Sequence, residues 1–272
     1  MQKIDFHSHC DSGDPEQIKH YINVYEERGV VACLSGGLFY GGHDMLPNEE
    51  VIKLCAKFPG RILPIAKITL WDSPPDPAEL YHYAEMGVVG FKFIYPFYEY
   101  DHDLYMPVYE TAEKIGLPLL FHTGKYRQNS SDVQFKRPVL RNMAPVTLDR
   151  IARSFPKLHI VMAHLGTSLW REEAAELVKL HPNLYADLAG SGSWMALSAE
   201  KLVELFADTI FDRENMFRYF RKLIFGSDAY TSNPDPFING LIHYETKLAS
   251  AGVPEAVIRE IMGGTVGSWI GM

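Results

Sequence analysis

The chain has 272 residues, of which 47% are hydrophobic and 22% are charged, as is usual for a globular protein with a sizeable core. Its formal net charge of −8 disfavours a nucleic-acid partner, because phosphates would be repelled. No apolar run approaches the roughly 18 residues of a membrane span, and the start of the sequence lacks an apolar signal segment. Three cysteines without CxxC spacing indicate reduced thiols in a cytoplasmic protein: Cys10, Cys33 and Cys55.

Short β-branched or aromatic runs alternate with longer amphipathic stretches along the whole chain. Most of these runs are continuously apolar, which is typical of parallel strands covered on both faces. The predicted strands are Lys3–His7, Val30–Ser35, Ile62–Ile68, Val88–Ile94, Leu117–His122, Leu158–Ala163, Asn183–Leu188 and Leu223–Gly226.

Helices are predicted between these strands. The first has Asp14 as its N-cap, Pro15 at its first position and an apolar stripe that includes Ile18, Ile22 and Tyr25. The predicted helices are Pro15–Arg28, Glu49–Phe58, Pro77–Met86, Leu104–Ile115, Val146–Phe155, Ser168–Leu180, Ala199–Phe206, Pro236–Ser250 and Pro254–Met262. Glycines in position to end helices follow four of them at Gly29, Gly60, Gly87 and Gly116.

Eight strands that are each followed by a helix predict an α/β fold, a closed (β/α)₈ TIM barrel. We predict one domain over residues 1–272, because no linker or repeat is visible. An open doubly wound sheet is the competing fold. It usually has a glycine-rich phosphate turn after its first strand, whereas this chain has His7-Ser8-His9-Cys10 there.

Five side chains that suit metal chemistry lie at the carboxyl ends of predicted strands. His7 and His9 are two residues apart and can share a strand face, and His122, His164 and Asp228 end three other strands. These ends form one rim of a barrel, where barrel enzymes place their chemistry. Each histidine alone is more often structural, but together they indicate a metal site.

Imidazole and carboxylate groups suit Zn²⁺ and similar divalent ions, which lower the pKa of a bound water. Asp228 fits a double role as metal ligand and proton acceptor. Asp5 is predicted to share a strand face with His7, where it could bond a ligand histidine or belong to a structural buried pair.

Over essentially its whole length the chain resembles the amidohydrolase superfamily, in its amidohydrolase 2 branch. The matching segments are Ile4–His9, Gly90–Phe93, Gly116–Gly124, Ala163–Gly166 and Ile224–Asp228. The resemblance implies a metal-dependent hydrolase or decarboxylase with His7, His9, His122 and Asp228 as ligands of one ion. It also implies that His164 lies beside the metal water and polarises the substrate.

Lys92 and the end of the chain qualify this resemblance. In two-metal members a carboxylated lysine at the fourth strand bridges the ions, and Lys92 has about that position. We favour one Zn²⁺ with Lys92 as a cation of the pocket, and keep two ions with carboxylated Lys92 as the alternative. Members often end in Gly-Asn-Ala before the last helix, whereas this chain has Gly263-Gly264-Thr265-Val266. PHP-type phosphoesterases and TatD-type nucleases fit less well, because of Tyr230 and Lys92 respectively.

The predicted substrate is a small anionic molecule. The loop after His122 carries several cations, and an acidic protein with cations above its active rim is expected to attract anions. Aromatic side chains after the fourth and seventh strands are expected to form pocket walls, although packing explains them almost as well. The predicted substrate-binding residues are Lys92, Lys125, Tyr126, Arg127 and Trp194.

The predicted activity is hydrolysis of a small anionic amide, ester or lactone, with Asp228 and His164 as catalytic residues. Non-oxidative decarboxylation or hydration of a small carboxylic acid is the first alternative. A metal-binding protein without catalysis, acting as a partner or sensor, is the second. We expect no nucleic-acid or membrane partner, and a homodimer is reasonable from the resemblance.

Overall fold

The computed structural model describes residues 2–37, 45–71, 73, 75–125, 139–190 and 195–272. Within these ranges every pair of neighbouring strands in the sheet is parallel. The strands are β1 (Lys3–His9), β2 (Val30–Ser35), β3 (Ile62–Lys67), β4 (Phe91–Phe93), β5 (Leu119–His122), β6 (Ile160–Ala163), β7 (Leu184–Asp187), β8 (Leu223–Ile224) and β9 (Ala229–Tyr230).

Each strand from β1 to β7 pairs with the next along the chain, and β9 pairs with β1. The segment between β8 and β9 also contacts β1, because Phe6 N donates to Phe225 O at 3.0 Å and Asp228 N donates to His7 O at 2.7 Å. The chain from β8 to β9 is therefore one interrupted eighth strand that closes the ring. The predicted (β/α)₈ barrel is confirmed.

Helices follow the strands and cover the outside of the barrel, as expected for a barrel of parallel strands. They are α1 (Pro15–Glu26), α2 (Asn48–Cys55), α3 (Pro77–Glu85), α4 (Met106–Ile115), α5 (Thr147–Ser154), α6 (Thr167–Leu180), α7 (Ala199–Phe206), α8 (Asp235–Ser250), α9 (Glu255–Arg259) and α10 (Thr265–Ile270). None of the described helices is both long and apolar enough to span a bilayer.

The start of α1 forms as its sequence predicts. The Asp14 carboxylate accepts hydrogen bonds from the backbone N–H groups of Glu16 and Gln17, which lack partners within the helix. Pro15 has no N–H to satisfy at this position. After α4, Gly116 adopts a φ of 82°, a left-handed conformation that a side chain would strain.

Two apolar layers hold the barrel together. Inside the ring, Ile4, Phe6, Ile65, Leu120 and Val161 pack in one cluster below the carboxyl ends of the strands. A larger cluster fills the space between the strands and the helices. The three cysteines are buried and free, as predicted.

The structure differs from the sequence prediction at the end of the chain. The predicted helix Pro254–Met262 ends at Arg259 and widens into a π-turn, Glu260–Gly264, before α10, which the sequence did not predict. At Gly263 a Cβ atom would lie 2.7 Å from Ile4 N, so the absence of a side chain lets the backbone approach β1. That close approach has no periodic signal in the sequence.

Candidate metal centre

The site lies at the carboxyl ends of the strands, on one rim of the barrel. On β1 the strand register shifts between Asp5 and Ser8, which is a β-bulge. Phe6 packs inside the barrel, and the bulge brings His7 inward as well. Asp5 instead contacts α1 and the eighth strand, since its carboxylate accepts hydrogen bonds from Tyr25 Oη at 2.7 Å and Ser227 Oγ at 2.6 Å.

The expectation that Asp5 shares a strand face with His7 was therefore wrong, because the bulge breaks the alternation. Asp5 still supports this strand end, since its Oδ1 accepts the backbone N–H of His7 at 3.1 Å and that of Ser227 at 3.0 Å. Burial raises the pKa of Asp5 to about 7 despite these hydrogen bonds.

His7 is buried and held in one tautomer. Its Nδ1 lies 2.9 Å from Asp187 Oδ2, so Nδ1 carries the proton and Nε2 keeps a lone pair. That Nε2 accepts a hydrogen bond from Lys92 Nζ at 2.9 Å. Burial, followed by the charge of Lys92, lowers the pKa of His7 to about 3, so the ring is neutral at physiological pH.

His9 faces Asp228 with a lone pair. Ser35 Oγ donates to Ser8 O at 3.0 Å and lies 3.0 Å from His9 Nδ1, so it accepts the Nδ1 proton. His9 Nε2 then lies 2.9 Å from Asp228 Oδ1, and burial lowers the pKa of His9, which disfavours a second proton on the ring. In this tautomer a lone pair and a carboxylate oxygen face each other at a distance that suits two ligands of one cation, whereas in the other tautomer Nε2 donates a hydrogen bond to the carboxylate.

His122 and His164 form a chain of hydrogen bonds. His164 Nδ1 donates to Ala189 O at 2.9 Å, so its Nε2 accepts from His122 Nδ1 at 3.2 Å. His122 Nε2 is left with a lone pair, and this buried atom has no hydrogen-bond partner. Burial, followed by the charges of His164 and Lys92, holds the pKa of His122 well below its usual range. A buried imidazole nitrogen in this state is ready to bind a metal.

Strained backbone positions the two remaining groups of the site. Asp228 has a φ of 62° and His164 a φ of 66°, in a region that residues other than glycine rarely adopt. At Gly190 a Cβ atom would lie 3.1 Å from Asp228 Oδ2 and 3.2 Å from His164 Nδ1. The loop after β7 thus approaches both side chains closely, which only glycine permits.

The carboxylates and Lys92 set the electrostatics of the site. Burial opposes ionisation of Asp228 and Asp187, but neighbouring histidines, first His164 for Asp228 and His7 for Asp187, lower the pKa of both carboxyls below its usual value. Burial lowers the pKa of Lys92 to about 8, against the attraction of the two carboxylates. Two anions and one ammonium therefore surround three neutral histidines.

These residues fit a divalent ion. One ligand atom from each of His7, His9 and Asp228 lies within 4.8 Å of the others, a spacing that suits one ion. His122 adds the unpartnered Nε2 described above. A second group, His7, His164 and Asp187, meets the same criterion, but its carboxylate already accepts hydrogen bonds from His7 Nδ1 and two backbone N–H groups. The first group is therefore the better candidate.

The structure brings His7, His9, His122, His164, Asp228 and Lys92 together, as the sequence predicted. Lys125 is exposed and donates to Ser168 Oγ at 2.9 Å. Arg141 pairs with Glu99 at the surface, and Tyr100 is part of the core. The proposed contacts of Tyr126, Arg127 and Trp194 lie outside the described residues.

Two site residues were not recognised as such from the sequence, namely Asp187 as the partner of His7, and Ser35 as the partner of His9. Both end a strand and are buried on the same rim as the histidines. The available signal was their position as polar residues closing apolar strands. It did not show which atoms they contact.

A cavity of about 310 Å³ opens beside Asp228. Gly190, Tyr230, Asn233 and Asn239 contribute to its walls. The ring of Tyr230 lies over that of His9, with 5.0 Å between ring centroids. A small molecule in this cavity would contact the metal-binding groups from the open side of the rim.

Parts of the chain are similar in sequence to known proteins. The family model for Amidohydrolase matches residues 43–265. Dihydroorotases from Buchnera aphidicola strains are 37% identical over 73 residues, which is 27% of this chain and 19% of theirs. The matched part is thus about a fifth of the length of these curated relatives.

Solved structures match over nearly the full length. A 5-carboxyvanillate decarboxylase from Sphingomonas paucimobilis has a TM-score of 0.62 at 16% identity, covering 100% of this chain and 99% of that one. A Pseudomonas putida protein assigned as a 2-pyrone-4,6-dicarboxylic acid hydrolase has a TM-score of 0.61 at 16% identity, covering 99% and 97%. A dihydroxybenzoic acid decarboxylase from Polaromonas with bound manganese has a TM-score of 0.63 at 15% identity, covering 99% and 97%. At these identities the likeness shows the fold alone.

Proposed function

Because the chain belongs to the amidohydrolase family, we propose that it is a metal-dependent enzyme that hydrolyses a small anionic amide, ester or lactone. The observation that carries this proposal is the contact between His9 Nε2 and Asp228 Oδ1 at 2.9 Å. This spacing suits two ligands of one cation, His7 supplies a third ligand atom within reach, and the unpartnered Nε2 of His122 gives that cation a further ligand.

The proposed ligands are His7, His9, His122 and Asp228. An ion held there would lower the pKa of a water molecule and polarise a substrate carbonyl. We favour a single ion, most simply Zn²⁺; Mn²⁺ is the second candidate, because the Polaromonas structure has bound manganese. In this structure the Lys92 ammonium group contacts the lone pair of His7 Nε2, which an ion would bind in its place; carboxylated Lys92 with two ions is the alternative.

Three residues of the chain have proposed roles in the remaining steps of the reaction. Asp228 Oδ1 faces His7 and His9, whereas Oδ2 faces Gly190, where it can accept a proton from water and return it to the leaving group. His164 Nε2 lies at the same rim, where the ring can contact the substrate carbonyl. Lys92 supplies a buried positive charge for a substrate carboxylate.

Non-oxidative decarboxylation is the second candidate function. It is favoured by the two decarboxylases whose structures match almost the whole chain. In that reaction Asp228 or His164 would deliver a proton to the carbon that loses CO₂, and the buried Lys92 would bind the substrate carboxylate. An assay panel separates the two functions. A decarboxylase would release CO₂ from aromatic and dienoic acids, whereas a hydrolase would act on lactones, esters and amides.

Metal content tests the proposal directly. We expect close to one divalent ion per chain in the wild type and in Lys92→Ala, measured by inductively coupled plasma mass spectrometry after loading and desalting. Two ions per chain in the wild type and one in Lys92→Ala would overturn the single-ion proposal and favour two ions bridged by carboxylated Lys92. Lys222→Ala is the control, because Lys222 lies next to the start of β8, at the opposite end of the barrel. A wild type that holds no ion contradicts the proposed function.

A further inference from the structure

One wall of the cavity beside Asp228 has no role in the site described so far. It is formed at the start of α8, where Asp235, Asn239 and the preceding Asn233 contribute to the lining. Asp235 and Asn239 are four positions apart on this helix, so their side chains share one face. Both side chains are exposed. The cavity therefore has a carboxylate and amide groups next to the proposed metal ligands.

The position of the cavity relative to Asp228 indicates which part of a substrate enters it. Asp228 Oδ1 faces His7 and His9, whereas Oδ2 faces Gly190. Gly190 and Asp228 both line the cavity, so Oδ2 lies on the cavity side. In the proposed reaction Oδ2 returns a proton to the leaving group, so the leaving group lies in the cavity. The substrate carboxylate next to Lys92 then lies on the side of His7.

The charge of the cavity disfavours an anionic leaving group. The described residues that line it include two carboxylates, Asp228 and Asp235, and no lysine, arginine or histidine. An anion placed there would be repelled by Asp235 and would lose water without gaining a cation. An ammonium group would instead pair with the Asp235 carboxylate, and the amide oxygen of Asn239 could accept a further hydrogen bond from it.

The start of α8 does not change this preference. Helix N-termini often bind anions through backbone N–H groups that have no partner in the helix. Here Asp235 N donates to Asn233 Oδ1 at 3.1 Å. Pro236 has no N–H, and Phe237 N donates to Pro234 O at 3.0 Å. These three positions therefore offer an anion no free donor, and the Asp235 carboxylate adds a negative charge to the first turn.

We propose that Asp235, together with Asn239, binds an ammonium group on the leaving group of the substrate. The substrate class is then a small amide or ester with a carboxylate on its acyl part and an ammonium group on its leaving group. This inference rests on the proposed function, since the orientation follows from the proton that Asp228 Oδ2 returns. Met195 and Pro236 give the cavity an apolar wall that suits the carbon chain between the two groups.

The experiment measures binding of matched probes to the Zn²⁺-loaded enzyme by isothermal titration calorimetry. The 3- and 4-(aminomethyl)benzoates carry a carboxylate and an ammonium group, whereas isophthalate and terephthalate carry a second carboxylate at the corresponding position. We expect the wild type to bind at least one (aminomethyl)benzoate about threefold or more tighter than the matching dicarboxylate, because a solvent-exposed ion pair is worth up to about fivefold in affinity. Asp235→Asn should lose this preference, Asp235→Lys should reverse it, and Asn239→Ala should reduce it without a change in charge.

The charge-matched control is Glu16→Gln, which removes a carboxylate from the first turn of α1 and should keep the wild-type preference. A wild type that prefers neither (aminomethyl)benzoate overturns the inference. So does an Asp235→Asn variant that keeps the preference, or that loses affinity for both kinds of probe equally. The proposed function is judged separately, by turnover on the substrate panel. If turnover is absent but the preference depends on Asp235, the function fails and the binding inference stands.

Discussion

Replacing Asp187 with Asn should weaken metal binding through the tautomer of His7. Asp187 Oδ1 accepts the backbone N–H groups of His164 at 2.7 Å and Ala189 at 2.9 Å, so in Asp187→Asn this position must remain an oxygen. The amide nitrogen then takes the place of Oδ2, which lies 2.9 Å from His7 Nδ1. The new amide N–H at position 187 and the Nδ1–H of His7 would then face each other. This repulsion is relieved when His7 moves its proton to Nε2.

A protonated Nε2 cannot bind a metal, so the variant should lose one of the proposed ligands. Groups that orient a ligand histidine are typically worth 10- to 100-fold in metal affinity, which is about 1.4 to 2.7 kcal/mol. Because His7 is fully buried, water cannot replace the lost acceptor at Nδ1. We therefore expect a loss of at least tenfold.

Competition with a chromophoric chelator for Zn²⁺ gives the affinity, and nitrogen-15 chemical shifts of the imidazole give the tautomer. In the metal-free wild type the proton should be on Nδ1 of His7, and in Asp187→Asn it should be on Nε2. Asp149→Asn is the control, since Asp149 pairs with Arg153 and His181 near the surface. Unchanged Zn²⁺ affinity in a folded Asp187→Asn, or an unchanged tautomer, would refute the reasoning.

Three further variants test other parts of the site. Asp228→Asn should keep the fold by circular dichroism but lose turnover at least a thousandfold, because it removes both a ligand charge and the proton acceptor; retained turnover would exclude Asp228 from the mechanism. Gly190→Ala should lower turnover at least tenfold and stability by about 1–2 kcal/mol, because its Cβ would lie 3.1 Å from Asp228 Oδ2 and its φ is 79°; wild-type turnover contradicts the close approach. Lys67→Met should change the pH dependence of stability. Burial at the end of β3 lowers the pKa of Lys67 from 10.5 to about 7, so the unfolded chain binds more protons between these values and wild-type stability rises with pH across this window. The difference in the free energy of unfolding between Lys67→Met and the wild type, measured with urea, should therefore shift in favour of the wild type by at most about 5 kcal/mol from pH 7 to 10.5. A difference that stays constant over this range would contradict the lowered pKa.

The sequence was sufficient for the barrel and for most of the side chains that the structure brings together at the candidate metal centre. Apolar strands buried on both faces, with helices between them, leave few alternatives, and His122 or Asp228 closing such a strand is visible by position alone. The predicted β2, Val30–Ser35, has the bounds that the structure shows. Here the local pattern and the tertiary environment agree.

The predictions that failed concern backbone geometry that leaves no periodic pattern in the sequence. The bulge on β1 turns His7 to the face opposite that of Asp5, and strict alternation cannot predict it. The eighth strand was predicted as Leu223–Gly226, whereas the structure has β8 at Leu223–Ile224 and a further short strand, β9, beyond the left-handed residue Asp228. The pairing of Asp187 with His7 joins residues 180 positions apart and has no local signal.

Because the eighth strand closes the ring, the proposed metal ligands at this closure have a part in the assembly of the protein. His7 and His9 lie on one side of the seam that closes the ring, and Asp228 lies on the other, 219 positions beyond His9. An ion bound by these three proposed ligands would therefore link the first strand to the last. During synthesis β1 must wait for the eighth strand before this link can form, and ligation would then add its binding free energy to ring closure.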